Sequence, residues 1–264
     1  MQDQMQYSTL KFAQDGAIAV VTLDRPDRRN AVSRTMIDDL QAALNQAETG
    51  PARVLLITGS GKAFCAGMDL EELQAIAGQS PDENLEDSRQ MASMFYRIYT
   101  FPKPVIAAVN GAAIAGGCGI ATLADFTLAV PEAKFGYTEV KIGFIPALVS
   151  VFLRRQVGEK RSREILLSGR IFDAAEAFRI GLVTEVVPAE KLMERARELA
   201  GSLLAASPTS LQRTKQLLLR LDETALRAEL DLAFRANAEI RSTPDFREGF
   251  ASFLEKRPPK WPGT

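Results

Sequence analysis

Two turns built from glycine and other small residues are the places in this sequence where backbone groups could do chemistry. The stretch AAIAGGCGIATLAD (112–125) follows the apolar run VIAAVN and Gly111. The stretch VLLITGSGKAFCAGMDLEEL (54–73) also runs from an apolar segment through small residues into a helix with acidic residues at its start. Small residues let the backbone approach a ligand, and amides at a helix N-terminus attract negative charge. The pair predicts one anion-binding site, although either turn alone also fits an ordinary strand-to-helix connection.

Neither turn matches a nucleotide-binding motif. A dinucleotide fingerprint needs G-x-G-x-x-G after the first strand with an acidic residue ~20 positions later, and GGCGIA does not satisfy it. The segment GSGK (59–62) lacks the spacing and the hydroxyl residue of a phosphate-binding P-loop. Dinucleotide binding and nucleotide hydrolysis are therefore disfavoured.

The side chains available for catalysis are restricted, because the chain contains no histidine. This excludes Ser-His-Asp and Cys-His arrangements, two-histidine metal sites and imidazole acid/base steps. The two cysteines, Cys65 and Cys118, are too few for a disulfide scaffold or an all-thiolate zinc site, and we expect packed thiols in a reducing compartment. No metal site is predicted, so proton transfer must use carboxylates, Lys, Tyr, thiols or water.

Length and composition are those of an ordinary globular protein, with 264 residues, 46% of them hydrophobic and 25% charged. The net charge of −1 produces no overall field that would favour nucleic acid or an anionic membrane. No apolar run approaches the ~20 residues that cross a bilayer, and MQDQMQYSTLKF lacks the pattern of a targeting signal. We expect a cytoplasmic protein with no nucleic-acid or membrane partner.

The apolar patterning predicts an α/β fold. Short strand-like runs alternate with helical patterns, and the middle runs lack polar alternation, as in strands buried on both faces. Between the first two runs, SRTMIDDLQAALNQAE predicts a helix capped by Ser33. The predicted strands are Ile18–Leu23, Val54–Thr58, Val105–Val109, Phe126–Val130 and Val183–Val187.

The pattern changes after Pro188, where four amphipathic helices follow without a strand signal. We therefore divide the chain into an α/β core at 1–190 and a C-terminal helical segment at 191–264. Residues 77–88 and the C-terminal KRPPKWPGT have a loop-like composition, and Gly78–Asp87 is expected to form a mobile flap.

Four motifs in order, DRPDRRNA, KAFCAGMDL, the run from Val109 to Asp125, and FGYTEVKIGFIP, resemble the enoyl-CoA hydratase/isomerase (crotonase) superfamily, as does GRIFDAAEAFRIGLVTEVVP. The resemblance implies a crotonase-like spiral of ββα units with a C-terminal helical trimerisation segment, and a homotrimer or a dimer of trimers. It implies that the substrate is an acyl-CoA thioester of fatty-acid metabolism. It implies no separate cofactor, because coenzyme A is part of the substrate. It also implies that 77–100 and the C-terminal helices line the acyl pocket.

The resemblance implies an oxyanion hole made by the backbone amides of Met68 and Gly116, with Glu139 as the acid/base. Without the resemblance, Glu139 would be interpreted as a surface residue beginning a helix. The related hydratases carry a first glutamate where this chain has Gly119. A single carboxylate favours isomerisation of an enoyl-CoA double bond; hydration, thioester hydrolysis, decarboxylation and a non-catalytic acyl-CoA or protein-binding role remain alternatives.

Further residues are assigned by position. Tyr137 and Asp125 could supply an auxiliary group, although Asp125 is expected mainly to pair or cap. Asp69 is expected to cap the helix that starts at Leu70. Relatives often have I-P-G-x-G-G where this chain has IPALVS at 145–150, and the bulk of Leu148 and Val149 suggests altered packing or an altered acyl pocket. Arginines 25, 28 and 29 could hold CoA phosphates, and the full set expected to bind substrate or CoA is Arg29, Ala31, Lys62, Ala66, Asp69 and Leu70.

Overall fold

The computed structural model describes residues 6–76 and 78–263. Its strands are β1 (Leu10–Asp15), β2 (Ile18–Leu23), β3 (Val54–Gly59), β4 (Ala63–Cys65), β5 (Val105–Val109), β6 (Ala112–Ile114), β7 (Phe126–Ala129), β8 (Lys134–Gly136), β9 (Ile171–Asp173) and β10 (Glu185–Val186). Its helices are α1 (Arg34–Thr49), α2 (Leu70–Ile76), α3 (Pro81–Tyr99), α4 (Gly116–Thr122), α5 (Ala147–Ser168), α6 (Ala174–Arg179), α7 (Leu192–Leu204), α8 (Pro208–Arg220), α9 (Glu223–Ile240) and α10 (Pro244–Leu254).

The strands form two sheets that the chain visits alternately. The six-stranded sheet has the order β1-β2-β3-β5-β7-β10, and the four-stranded sheet has the order β4-β6-β8-β9. Each long strand β3, β5 and β7 is followed at once by a short strand of the second sheet. This alternation builds the repeated units that the family resemblance implies.

The parallel pairing of β4, β6 and β8 brings the candidate site residues to one edge. β4 pairs parallel to β6, and β6 pairs parallel to β8. Met68, Gly116 and Glu139 each follow the end of one of these strands by two or three residues. Because the carboxyl ends of parallel strands meet at the same edge of a sheet, residues from three distant segments become neighbours.

The core is dominated by the large sheet, whose strands β3 and β5 are buried on both faces. Helix α1 packs its apolar face inward, and the Ser33 side chain accepts a hydrogen bond from the amide of Met36, so the predicted cap is confirmed. The five predicted strands are all present. The last of them is shorter than predicted and covers only Glu185–Val186.

The four C-terminal helices are present where the sequence predicts them, as α7 to α10. Helix α9 packs against α3 and α5, and α7 packs against β3, β5 and β7. Residues of α7 and α9, such as Ala196 and Leu230, belong to the same hydrophobic core as the sheet. The boundary at 190/191 therefore separates a sheet-bearing part from a helical part that share one core.

The expected loop over 77–88 is wrong from residue 81 onward, because α3 begins at Pro81. Ser80 and Glu83 form a reciprocal capping box, with the Ser80 amide donating to Glu83 and the Glu83 amide donating to Ser80. Proline is favourable in a first helical turn, so polar composition here marks a helix start and not a flap. Residues 1–5, 77 and 264 lie outside the described residues. The predictions of a loop at residue 77 and of an N-terminus without a targeting signal therefore fall partly on undescribed residues.

Within residues 6–76 and 78–263, none of the helices combines the length and apolarity needed to cross a membrane.

Candidate active site

The two glycine-bearing turns touch each other, because β4 and β6 pair side by side, with Ala63 opposite Ala112. Gly67 has a φ of 95°, which residues with a side chain rarely adopt. A Cβ atom at Gly67 would lie 3.1 Å from the carbonyl oxygen of Ile114 and 3.2 Å from the Cβ of Ala115. Glycine at position 67 is therefore required by both its conformation and the close approach of the second turn.

The first turn presents the amide of Met68. Val32 forms a bridge with this turn, since its amide donates to Gly67 O at 2.7 Å and its carbonyl accepts from the Asp69 amide at 2.9 Å. The Met68 amide lies between these two bonds and donates to no residue in the described part of the chain. The bridge thus holds this N–H group rigidly while leaving it without an acceptor.

The second turn presents the amide of Gly116. Ala115 is anchored by its amide, which donates to Gly136 O at 2.7 Å. Its φ of 51° and ψ of −125° are strained for a residue with a Cβ atom, a conformation that costs about 1–3 kcal/mol. Gly116 begins α4, so its amide has no acceptor within the helix, and it donates to no other described residue.

A cavity of about 530 Å³ is lined by Met68, Gly116 and Glu139 together. Ala31, Ala66 and Leu70 also line it, as do Arg29 and Asp69, so five of the residues expected to bind substrate or CoA are brought together. Lys62 is exposed and is not among the lining residues. The apolar lining includes Leu73, Met91, Phe95, Ile142, Phe144, Ile145, Leu148 and Val149.

Glu139 is buried, which excludes its interpretation as a surface residue. It begins a 3₁₀ turn over Glu139–Ile142 and is 8% exposed. Its Oε2 atom has no hydrogen-bond partner among the described residues. Burial disfavours the charged carboxylate and raises the pKa of Glu139 from 4.5 to about 7. A carboxyl group with this pKa can both take and return a proton near neutral pH.

The position of the missing glutamate is closed. A Cβ atom at Gly119 would lie 2.8 Å from Val149 Cγ1, and 3.1 Å from Phe95 Cζ. Both neighbouring side chains line the cavity. The bulk expected at Val149 therefore takes the space next to Gly119, and no larger side chain fits there without displacing Val149.

Asp69 has a structural role. Its carboxylate accepts a hydrogen bond from the Glu71 amide at 2.9 Å and pairs with Arg25 at 2.8 Å. Arg25 in turn donates to Ala31 O at 2.6 Å. These contacts cap α2 as predicted and tie the segment after β2 to the first turn.

The two auxiliary candidates lie elsewhere. Tyr137 is buried with its hydroxyl 3.2 Å from that of Thr122, and burial raises its pKa well above the ordinary value. Asp125 accepts from the Val105 amide at 2.8 Å and from Lys215 at 2.6 Å. Neither residue lines the cavity, so the structure does not bring them together with the free amides.

The cysteines are enclosed thiols. Cys65 and Cys118 are both fully buried, and burial raises the pKa of each to about 12. Such thiols are not nucleophiles near neutral pH, which agrees with their prediction as packing residues.

Two polar residues that the C-terminal helices contribute to the cavity were not named by the sequence analysis. Asn237 and Arg241 lie on and just after α9, and both line the cavity. The available signal was their spacing, since both continue the buried face formed by Leu230, Ala233 and Phe234. A polar pair on an otherwise apolar helix face is a feature that periodicity alone does not explain.

Two amides without acceptors among the described residues line one cavity with a buried carboxyl group, an arrangement able to stabilise negative charge on a thioester or similar carbonyl oxygen beside an acid/base. The sequence model of the enoyl-CoA hydratase/isomerase family matches residues 13–264, and the chain belongs to this family. It is therefore an enzyme of the crotonase superfamily with the crotonase fold.

Individual relatives agree. A Thermus thermophilus protein, provisionally named an enoyl-CoA hydratase, is 47% identical over 93% of this chain and 98% of its own length. The 2,3-dehydroadipyl-CoA hydratase of Escherichia coli is 35% identical over 97% of this chain and 99% of its own. The crystal structure of an enoyl-CoA hydratase/isomerase from Xanthobacter autotrophicus Py2 covers 95% of this chain and 94% of its own, with a TM-score of 0.89 and 30% identity.

Proposed function

We propose that this enzyme moves the double bond of an enoyl-CoA thioester along its acyl chain, with Glu139 as the single acid/base. The observation that carries the proposal is the asymmetry around the free amides. Glu139 offers a buried carboxyl oxygen that has no partner among the described residues, whereas Val149 and Phe95 fill the space beside Gly119. One carboxylate suffices to carry a proton between two carbons of the same substrate.

The mechanism follows from this geometry. The thioester oxygen accepts hydrogen bonds from the amides of Met68 and Gly116, and ionised Glu139 removes a proton from C2 of a 3-enoyl-CoA. The electron pair of the broken C–H bond is delocalised onto the thioester oxygen as an enolate. Glu139 then returns the proton at C4, which leaves a 2-enoyl-CoA and the ionised carboxylate. Each preorganised amide lowers the barrier by about 3–4 kcal/mol, as in other oxyanion holes.

For the CoA moiety, we propose that Arg29 and the backbone near Ala66 meet the phosphates and the adenine, with Ala31 and Leu70 beside them. Asp69 contributes by holding the first turn, and Lys62 reaches CoA only from outside the cavity. No cofactor other than the CoA of the substrate takes part in this proposal. A cytoplasmic homotrimer or dimer of trimers is proposed from the resemblance alone.

Hydration of a 2-enoyl-CoA is the second candidate, and the names of the relatives favour it. In this case Glu139 alone would activate water and protonate C2. The closed wall at Gly119 offers no second carboxylate to hold that water. The absence of such a group favours isomerisation.

A paired assay distinguishes the two reactions. Purified protein is given a 3-enoyl-CoA or a trans-2-enoyl-CoA, and the absorbance of the conjugated enoyl thioester is followed. A rise from the 3-enoyl substrate is expected. A fall from the 2-enoyl substrate, with no rise from the 3-enoyl substrate, would show that the enzyme is a hydratase.

The variant Glu139→Gln tests the assigned base in the same assay. Loss of the acid/base is expected to lower kcat about 10²- to 10⁴-fold while the affinity for CoA stays unchanged. Glu132→Gln is a matched control, because Glu132 is exposed and lies outside the cavity. Full activity of Glu139→Gln would exclude Glu139 as the base.

A further inference from the structure

Most polar residues around the cavity have a role in substrate binding, helix capping or the proposed catalysis, but Asn237 and Arg241 do not. Residues 27–29 lie where CoA is proposed to bind, Asp69 caps α2, and Thr138 precedes the proposed base. Asn237 and Arg241 face the part of the cavity lined by α3 and by the segment after Glu139.

Asn237 offers two N–H donors to the cavity. Its Oδ1 accepts one hydrogen bond from Ser88 Oγ at 2.9 Å and another from Arg241 at 2.9 Å. These two donors define which end of the amide carries the oxygen. The Nδ2 group donates to no residue in the described stretches, and the residue is only 6% exposed.

Arg241 is buried in the same cluster and is 3% exposed. One of its Nη atoms donates to Asp87 at 2.7 Å and to Asn84 at 3.2 Å, and the other donates to Asn237. Its Nε atom has no partner among the described residues. This Nε atom is enclosed, so the N–H groups left for a ligand are those of Asn237 Nδ2 and the second N–H of the Arg241 Nη atom that donates to Asn237. A donor without an acceptor costs about 1–3 kcal/mol when buried, so these groups favour a ligand atom that accepts hydrogen bonds.

The cluster lies close to the proposed base. The guanidinium carbon of Arg241 is 5.9 Å from the ring centroid of Phe144, and the Phe144 amide donates to the carbonyl oxygen of Glu139 at 3.0 Å. One aromatic side chain therefore separates the cluster from the turn that carries Glu139. Glu139, Asn237 and Arg241 line the same cavity, so an acyl chain lying in it could extend from the base towards the cluster.

We propose that Asn237 and Arg241 bind an acceptor oxygen at the far end of the acyl chain, so that the preferred substrates carry a carboxylate or ketone oxygen there. This proposal rests on the proposed function for the thioester itself. Asp87 offsets the charge of Arg241, so recognition depends on the free N–H donors of the pair and not on an unpaired cation. The same network also ties α3 to α9, which is a structural role that requires no ligand.

The test uses three saturated ligands that are not turned over: adipoyl-CoA, 5-oxohexanoyl-CoA and hexanoyl-CoA. Isothermal titration calorimetry measures their affinities for the purified full-length protein. At least one oxygen-bearing ligand is expected to bind about tenfold more tightly than hexanoyl-CoA, as one or two hydrogen bonds would produce. If only adipoyl-CoA binds more tightly than hexanoyl-CoA, the site recognises a carboxylate. If 5-oxohexanoyl-CoA also binds more tightly, the site recognises any acceptor oxygen. Hexanoyl-CoA binding as tightly as both would overturn the proposal.

Variants separate recognition from helix docking. The preference is measured as the ratio of the affinity for the preferred oxygen-bearing ligand to the affinity for hexanoyl-CoA. Asn237→Ala and Arg241→Gln are each expected to lose most of this preference, while hexanoyl-CoA still binds. Ser88→Ala is the matched control, because it removes a bond to Oδ1 and leaves the Nδ2 donors in place. The control should keep the ratio. An unchanged ratio in both Asn237→Ala and Arg241→Gln would refute the assignment, and binding of hexanoyl-CoA reports whether each variant is folded.

The outcome is independent of the catalytic proposal. A protein that isomerises neutral enoyl-CoA but shows no preference among the saturated ligands would contradict this inference and leave the isomerase proposal intact. A protein with the preference but no isomerase activity would contradict only the isomerase proposal.

Discussion

The two walls beside the free amides differ in what they offer to a substrate. The wall at Glu139 holds a carboxyl group that is 8% exposed and has an oxygen without a partner among the described residues. The wall at Gly119 is formed by backbone, and Val149 and Phe95 fill the space beside it. Under the proposed mechanism both walls share the amides of Met68 and Gly116, so the difference lies in proton transfer and not in the stabilisation of the enolate.

This contrast shows how one scaffold can support different reactions. The positions of the two amides depend on the paired strands β4 and β6 and on the conformations of Gly67 and Ala115. Any reaction that uses these amides would require the same features. A second acid/base would require one further side chain. Here Gly119 supplies none, and Val149 and Phe95 fill the space beside it. Function within the site is thus set by wall residues that can change without altering the fold.

Apart from the loss of the Glu139 carboxyl group itself, the largest expected effect comes from disturbing the amides that both walls share. Gly67→Ala should lower kcat with a 3-enoyl-CoA about 10²- to 10³-fold, because the new Cβ meets Ile114 O at 3.1 Å and displaces the Met68 amide. Gly181→Ala is the matched control, since Gly181 has a φ of 81° and a Cβ atom added there would meet nothing within 4 Å. Wild-type kcat in Gly67→Ala would show that the Met68 amide is not a donor in the reaction.

A smaller effect is expected on the pH dependence of the free energy of unfolding, and it reports the burial of Glu139. Since the pKa of Glu139 is raised from 4.5 to about 7, the folded protein binds this proton more tightly than the unfolded chain. Stability from the protonated carboxyl is fully present below pH 4.5 and is lost as the pH rises through 7. Glu139→Gln cannot ionise, so it should gain up to about 3 kcal/mol over wild type by pH 8.

Urea unfolding of both proteins at pH 5 and pH 8 checks this effect. The difference in unfolding free energy between the variant and the wild type should be larger at pH 8. A difference that does not change with pH would mean that Glu139 titrates as an ordinary exposed carboxyl.

The smallest expected effect tests the closed wall. Gly119→Ala should destabilise the protein by about 1–3 kcal/mol, because its Cβ would lie 2.8 Å from Val149 Cγ1. Val149→Ala removes that neighbour, so the double variant should recover part of the loss caused by Gly119→Ala. A double-mutant cycle in urea measures the coupling, and strictly additive free energies would show that the two residues do not compete for space.

Local patterns in the sequence predicted most of the elements. Strands such as Val105–Val109 and the capped helix α1 follow from apolar periodicity and from Ser33. The start of α3 was missed because the polar stretch before residue 88 was interpreted by composition, whereas the Ser80–Glu83 capping box specifies a helix. Local hydrogen bonding between side chain and backbone outweighed average polarity here.

The candidate site was predicted less completely. Motif positions identified Met68, Gly116 and Glu139, which the structure places around one cavity. Lys62 belongs to the same predicted set because it precedes the first turn, but it is exposed and is not among the residues that line the cavity. Asn237 was missed because its neighbours in the cavity are distant in sequence, and no local pattern reports them.

The sequence by itself determined the absence of imidazole chemistry, the two small-residue turns, and the alternation of strands and helices, since each depends on residue identity and local spacing. The departure at Gly119 follows from the resemblance to the related hydratases. Only the tertiary structure decided that the amides of Met68 and Gly116 are both free of partners in the described part of the chain, that Glu139 is buried, and that Val149 fills the space beside Gly119. The reason is physical: burial, desolvation and hydrogen-bond satisfaction depend on residues brought together from distant parts of the chain.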